Sequence, residues 1–140
     1  MKTVVFDFDG VIHPYTSGWQ GIDKTPDPPV PEAVETIRRL RRRGYKVIVV
    51  SARSSVSAGL AAIKRYLKKW NIEVDGVTAE KPPAVVYVDD RSICFVPGMN
   101  LYYAITHFKT WYENGVDLDE SEVIDDGEHP GADCDAGGFL

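Results

Sequence analysis

Cysteine is scarce: Cys94 and Cys134 are the only two in 140 residues, too few for the disulfide framework that small secreted domains rely on. Long apolar runs are missing as well. The longest, such as Ala84 to Val88, are about five residues, against the roughly twenty of a membrane helix, so no membrane span is predicted. The apolar stretch after Lys2 is broken at Asp7, which leaves no secretory signal core and predicts a cytoplasmic protein. Positive charge vanishes past Lys109. All 16 Lys and Arg lie at or before that residue, so the formal net charge of −5 averages two unlike pieces. Residues 1–112 carry a balance of +5, and residues 113–140 carry ten carboxylates with no Lys or Arg. The second piece is acidic and glycine-rich, has little apolar surface to offset ordering entropy, and is predicted to be a partly disordered tail. The first is long enough for one domain with its own core.

Within residues 1–112 the pattern alternates between strand and helix. Thr3 to Phe6 is a short β-rich run ending at Asp7-Phe8-Asp9-Gly10. Residues 13–31 hold five of the nine prolines and predict an irregular flap. Pro31 opens a helix with Glu32 and Glu35 near its start and Arg38 to Arg43 near its end, and Val34, Ile37 and Leu40 share its apolar face. Tyr45 to Val50 reads as a buried parallel strand that stops at Ser51. Residues 56–70 return to helical spacing through Leu60, Ile63 and Leu67. Ile72 to Thr78 and Ala84 to Val88 are the next strands, Ile93 to Val96 is a candidate fifth, and residues 101–112 a candidate last helix. The class is α/β, a three-layer Rossmann-like parallel sheet with helices on both faces.

In such a sheet the ligand crevice lies off the carboxyl ends of the strands. Three strands finish there on polar residues: the first on Asp7 and Asp9, the second on Ser51, the fourth on Asp89 and Asp90, with Lys81 just upstream. Paired aspartates alone mean little, because Asp-x-Asp recurs at 117/119 and 133/135 and Asp-Asp at 125/126. Only the pairs at 7/9 and 89/90 end β-rich runs. Four carboxylates at one sheet edge are costly to hold ionised without a cation, and hard oxygen ligands suit Mg²⁺ bridging to a phosphate. One carboxylate then attacks phosphorus while another exchanges a proton with the leaving group, and Ser51 and Lys81 hold phosphoryl oxygens. Plainer readings stand beside these: Ser51 as a helix cap, Lys81 as a surface lysine, Arg53 and Arg91 as ion-pair partners or phosphate ligands, His13 as a flap surface residue, and Cys94 and the aromatics of 102–112 as packing.

Val4-Val5-Phe6-Asp7-Phe8-Asp9-Gly10-Val11, Ser51 after Val47-Ile48-Val49-Val50, Lys81 before Pro82, and Val88-Asp89-Asp90 resemble, in order and position, the four motifs of the haloacid dehalogenase-like (HAD) superfamily of phosphohydrolases. The resemblance implies strand order 5-4-1-2-3. It implies Asp7 as the nucleophile of an aspartyl-phosphate and Asp9 as general acid/base. Ser51 and Lys81 become phosphate-binding groups, with Arg53 beside Ser51 as a further candidate, and Mg²⁺ is held by Asp7, the Asp9 backbone carbonyl, Asp89 and Asp90. The intervals from Asp9 to Ser51 and from Ser51 to Lys81 leave no room for a cap domain. Capless relatives often take macromolecular substrates or close the site by oligomerising. The expected partner is therefore a phosphorylated small molecule or nucleic-acid end, with a homo-oligomer as one means of closure and His13, Tyr15, Trp19 and Lys24 as candidate substrate contacts. A phosphatase is the expected activity; a non-hydrolytic binding or regulatory module, or a phosphotransferase, is the alternative.

Overall fold

The computed structural model describes residues 1–113, which fall in two compact units, Met1–Asp90 and a second beginning at Arg91. Apart from Glu113, the stretch read as an acidic tail lies outside the described residues. The first unit holds four parallel strands, β1 (Thr3–Asp7), β2 (Lys46–Val50), β3 (Gly76–Thr78) and β4 (Val86–Val88), in the order β3-β2-β1-β4. Asp7 pairs with Val50, and Phe6 pairs with both Val49 and Val88. The carboxyl ends of β1, β2 and β4 therefore lie level.

Helices α1 (Pro31–Arg42) and α2 (Ser57–Lys69) both serve the sheet face that carries Val4, Phe6, Val47 and Val49. The alternation of a strand sends these four side chains to one side. Against them α1 packs Ala33, Val34 and Ile37, and α2 packs Ile63, Tyr66 and Leu67. On the other face Val5 and Ile48 are also buried. No helix joins β3 to β4. Residues 79–85 make that connection as a loop, and its Pro82 and Pro83 line a cavity of about 370 Å³ together with Ile48 and Val77.

The arginine-rich end of α1 is a structural feature of the sheet's amino edge. Arg41 pairs with Glu73 at 2.9 Å and Asp75 at 3.3 Å, and Asp75 also accepts the Val47 N–H at the start of β2. Arg38 donates to the carbonyls of Trp70 and Asn71. These charges sit at the opposite ends of the strands from Asp7 and Asp89, so they do not line the carboxyl-edge crevice.

Three expectations change. The third strand is only Gly76–Thr78, because the chain leaving α2 turns at Asn71, with φ of 56°, and the Ile72 N–H goes back to the Leu67 carbonyl. Residues 93–96 form no strand, so the sheet order is 4-1-2-3 among the described residues. The Val96 carbonyl accepts the Met99 N–H in a turn over Pro97-Gly98, and Cys94 is exposed. The last helix, α3, is only Leu101–Thr106. Asn100 caps its start, while the Thr106 hydroxyl donates back to the Tyr102 carbonyl and competes with continuation. Its aromatics are not a packed core, since Tyr102 is 79% exposed.

Ile37 is fully buried between α1 and the sheet, whereas Arg39 two residues on is exposed. Ile37→Ala is expected to lower unfolding free energy by about 2–5 kcal/mol through lost burial and a residual cavity. Arg39→Ala should change it by no more than about 0.5 kcal/mol. Urea denaturation of the two variants checks the difference.

Candidate active site

The chain leaving β1 turns back at once. The Phe8 carbonyl accepts the N–H groups of Val11, Ile12 and His13, and the Gly10 N–H donates to the His13 carbonyl. Phe8 and Ile12 anchor this loop with no exposure at all, which leaves the flanking Asp7 and Asp9 at the carboxyl edge. Gly10 has φ of 89°, and a Cβ there would overlap the Asp90 carboxylate. Only glycine allows the first-strand loop and the end of β4 to approach so closely.

That approach assembles Asp7, Asp89 and Asp90, whose carboxylate oxygens come within 4.8 Å of one another. Burial, then a hydrogen bond with Asp90, then the charges of Asp89 and Asp90 raise the Asp7 pKa from 3.8 to about 8. Three carboxylates so close cannot all ionise unaided. They fit a hard divalent cation: all donors are oxygens, all lie at strand ends, and the charge they concentrate is what a dication neutralises.

Asp9 belongs to a different cluster. Its Oδ2 accepts Arg53 Nε–H at 2.7 Å, and its Oδ1 accepts Arg53 Nη2–H at 3.0 Å and faces His13 Nδ1 at 2.9 Å. Burial works to raise its pKa, but the donors from His13 and Arg53 outweigh that and hold it below the usual carboxylate range. The Asp9 side chain is thus not among the clustered carboxylates.

Arg53, read as an ion-pair partner or a phosphate ligand, directs four of its five N–H groups inward: two to Asp9 and two from Nη1 to the carbonyls of Gly21 and Ile22, each at 2.9 Å. Its side chain is only 2% exposed, and the Trp19 ring covers it with the centroid 4.5 Å from Cζ. Ser51 both ends β2 and caps the 3₁₀ turn Ala52–Ser55, its hydroxyl accepting the Arg53 N–H at 3.2 Å. Gly59 of α2 abuts the Arg53 carbonyl so closely that a Cβ would collide with it. Lys81 is exposed, with its ammonium 4.7 Å from the centroid of the Tyr87 ring.

Two residues of this region were not legible from spacing. His13 has no exposure, contrary to a surface reading, and Asp27 ties the flap by accepting the N–H and hydroxyl of Ser17. The Asp-Pro-Pro run at 27–29 signals a turn but gives no hint of what the aspartate holds. Between Asp9 and Ser51 the chain spans only flap, α1 and β2, and between Ser51 and Lys81 only the 3₁₀ turn, α2 and β3.

The raised Asp7 pKa has a defined consequence. Between about pH 4 and pH 8 the folded chain keeps a proton that the unfolded chain has lost, so Asp7's contribution to stability declines as pH rises through that window. In chelator, the melting temperature should fall from pH 5 to pH 8. Millimolar Mg²⁺ should restore it at pH 8, and Asp7→Asn should flatten the slope. A chelator profile identical in wild type and variant would contradict this reading.

No protein-family model and no curated protein matches the sequence. Among solved structures, a chain of the Pnkp1/Rnl/Hen1 complex is 18% identical at a TM-score of 0.49, over 77% of this chain and 35% of its own length, so the present chain spans about a third of it. A Vibrio cholerae protein is 19% identical at 0.48, over 76% of this chain and 95% of its own. The D,D-heptose 1,7-bisphosphate phosphatase of B. bronchiseptica, complexed with magnesium and phosphate, is 22% identical at 0.40, over 76% and 62%. The order 4-1-2-3, with Asp7 ending the central strand, Ser51 directly after β2 and Asp89-Asp90 directly after β4, is the arrangement that the haloacid dehalogenase-like resemblance implies, short of its fifth strand.

Proposed function

We propose that the chain is a magnesium-dependent phosphatase that hydrolyses a phosphomonoester through an aspartyl-phosphate on Asp7. One observation carries this reading: a half-buried aspartate at the end of the central strand, with Asp89 and Asp90 gathered within 4.8 Å of it. Asp7, Asp89 and Asp90 would hold the cation, which supplies charge neutralisation for the nucleophile and the phosphoryl oxygens. Asp7 then attacks as a carboxylate, and the ester oxygen leaves. Asp9, held ionised by His13 and Arg53, is suited to take a proton from the water that later cleaves the acyl phosphate. An approaching phosphate dianion raises its proton affinity by like-charge repulsion, which favours the reverse duty, donation to the leaving oxygen. Ser51, directly after β2 at the same edge, and Lys81, on the loop before β4, are the candidate phosphate contacts.

For the substrate we infer a nucleotide or nucleic-acid end. Trp19 supports this, being 55% exposed with one ring face fixed on Arg53 and the other open to a flat group. The basic ends of α1 and α2 do not add to it, because they lie at the amino edge of the sheet.

Asp7→Asn should abolish Mg²⁺-dependent release of phosphate from an aryl phosphate while the circular dichroism spectrum stays native. Retained turnover would exclude the covalent route, and tight beryllofluoride binding without turnover in the wild type would favour the regulatory module. Trp19→Ala should raise KM for a nucleoside monophosphate at least about fivefold, in line with the stacking energy of one base, and leave KM for a sugar phosphate unchanged. Equal changes for both would remove the nucleotide inference.

A further inference from the structure

His13 enters the chemistry above only as a donor to Asp9, yet it is the most completely enclosed polar side chain of the first unit, with no exposure. Its ring stacks on Phe8 at 5.6 Å between centroids and meets the edge of Tyr66 at 5.5 Å. Both ring nitrogens are engaged, and by groups of opposite character. Nε2 lies 3.2 Å from the backbone nitrogen of Asp27, and a backbone N–H can only donate, so Nε2 accepts. The ring proton is then on Nδ1, which faces Asp9 Oδ1 at 2.9 Å. Asp27 cannot shift to release this constraint cheaply. Its carbonyl accepts the Tyr66 hydroxyl at 2.8 Å, and its carboxylate accepts the Ser17 N–H at 3.0 Å. The competing arrangement, an imidazolium paired with the Asp27 carboxylate, has only a 3.6 Å approach of Oδ2 to Nε2.

We propose that His13 is a positioning residue for Asp9: a neutral ring, locked as the Nδ1–H tautomer by the Asp27 backbone, that fixes the orientation of the carboxylate used for proton transfer. The inference rests on the reading of Asp9 as the acid/base. Arg53 grips the two Asp9 oxygens from one side, and His13 supplies the third donor from the flap side. The free rotation of the carboxylate about its Cβ–Cγ bond is thereby removed. The flap, whose backbone supplies Asp27, becomes part of the proton-transfer apparatus without contacting substrate at that point.

Two substitutions separate positioning from plain support. His13→Asn keeps a donor where Nδ1 stands and loses the acceptor for Asp27. His13→Gln keeps an acceptor near Nε2 and loses the donor to Asp9. Both lose the ring packing, so melting temperatures are compared first and assays run well below the lower one. The readout is kcat/KM for an alkyl phosphate, whose leaving group needs a proton, against an aryl phosphate with an acidic phenol, which does not. His13→Gln should lose about thirtyfold on the alkyl ester, a part of the roughly 10²–10⁴-fold that general acid catalysis supplies, and under about threefold on the aryl ester. His13→Asn should stay within about threefold of wild type on both. Equal losses on both esters, or better activity in the Gln variant than in the Asn variant, overturn the proposal.

Asp9→Asn run alongside distinguishes the two layers. If it shows the alkyl-selective loss and the His13 variants do not, the positioning role fails and the acid/base role stands. If it shows none, the acid/base role fails and the positioning role with it. A third measurement needs no activity: ¹⁵N shifts of the His13 ring should report Nδ1 protonated and Nε2 bare, and a proton on Nε2, in the other tautomer or the imidazolium, overturns the proposal.

Discussion

The crowding of negative charge at the end of β1 is the constraint on which the rest of the site depends. Asp7 reaches that position because Thr3 to Phe6 is committed to the centre of the sheet, with Val4, Val5 and Phe6 all buried. Once β2 and β4 flank it in register, their terminal polar residues must share the same edge. A hydrophobic requirement thus forces an electrostatic conflict, and the conflict has only two resolutions: a retained proton or a cation. In the proposed mechanism the first would silence Asp7 as a nucleophile, and the second would prepare it.

Arg53 resolves a second conflict a few residues away. A buried guanidinium is tolerable only when its donors are met. Asp9 meets two of them and the flap carbonyls of Gly21 and Ile22 meet two more. The irregular, proline-rich segment between residues 13 and 31 therefore has a fixed course despite lacking helix or strand. Trp19 closes over the ion pair, and the close seat of Gly59 against the Arg53 backbone keeps the turn at the right height.

Much of this was legible from the sequence, and the parts that were not share a cause. Strand ends and helix faces follow from local apolar period and from Pro31, Gly10 and the Asp pairs, so β1, α1, β2 and α2 fall close to their expected positions. The third strand is shorter than its run and the fifth is absent because a β-rich run says nothing of whether its backbone is claimed elsewhere, as Ile72 is by α2 and Val96 by Met99. The motif aspartates were visible because each terminates a run. The duty of Arg53 and the burial of His13 were not, since both depend on contacts across 44 residues or on a flap whose path has no periodicity. The pairing of Arg38 and Arg41 was out of reach for the same reason, since Glu73, Asp75 and the two carbonyls they meet lie more than 30 residues further along the chain.

The loop that carries the chain from β3 to β4 bears on how the molecule is put together in time. β4 pairs with β1 across the longest separation in the sheet, Val4 with Val86, whereas β1 with β2 and β2 with β3 are built from nearer segments joined by helices. Bringing β4 home closes the costliest loop for only three residues of pairing. That same strand delivers Asp89 and Asp90, so the repulsion at the site opposes its docking and a cation bound there would favour it. Were an ion held there as proposed, completion of the sheet and its loading would be a single coupled equilibrium, and the cation would act as the last element of the fold to be added.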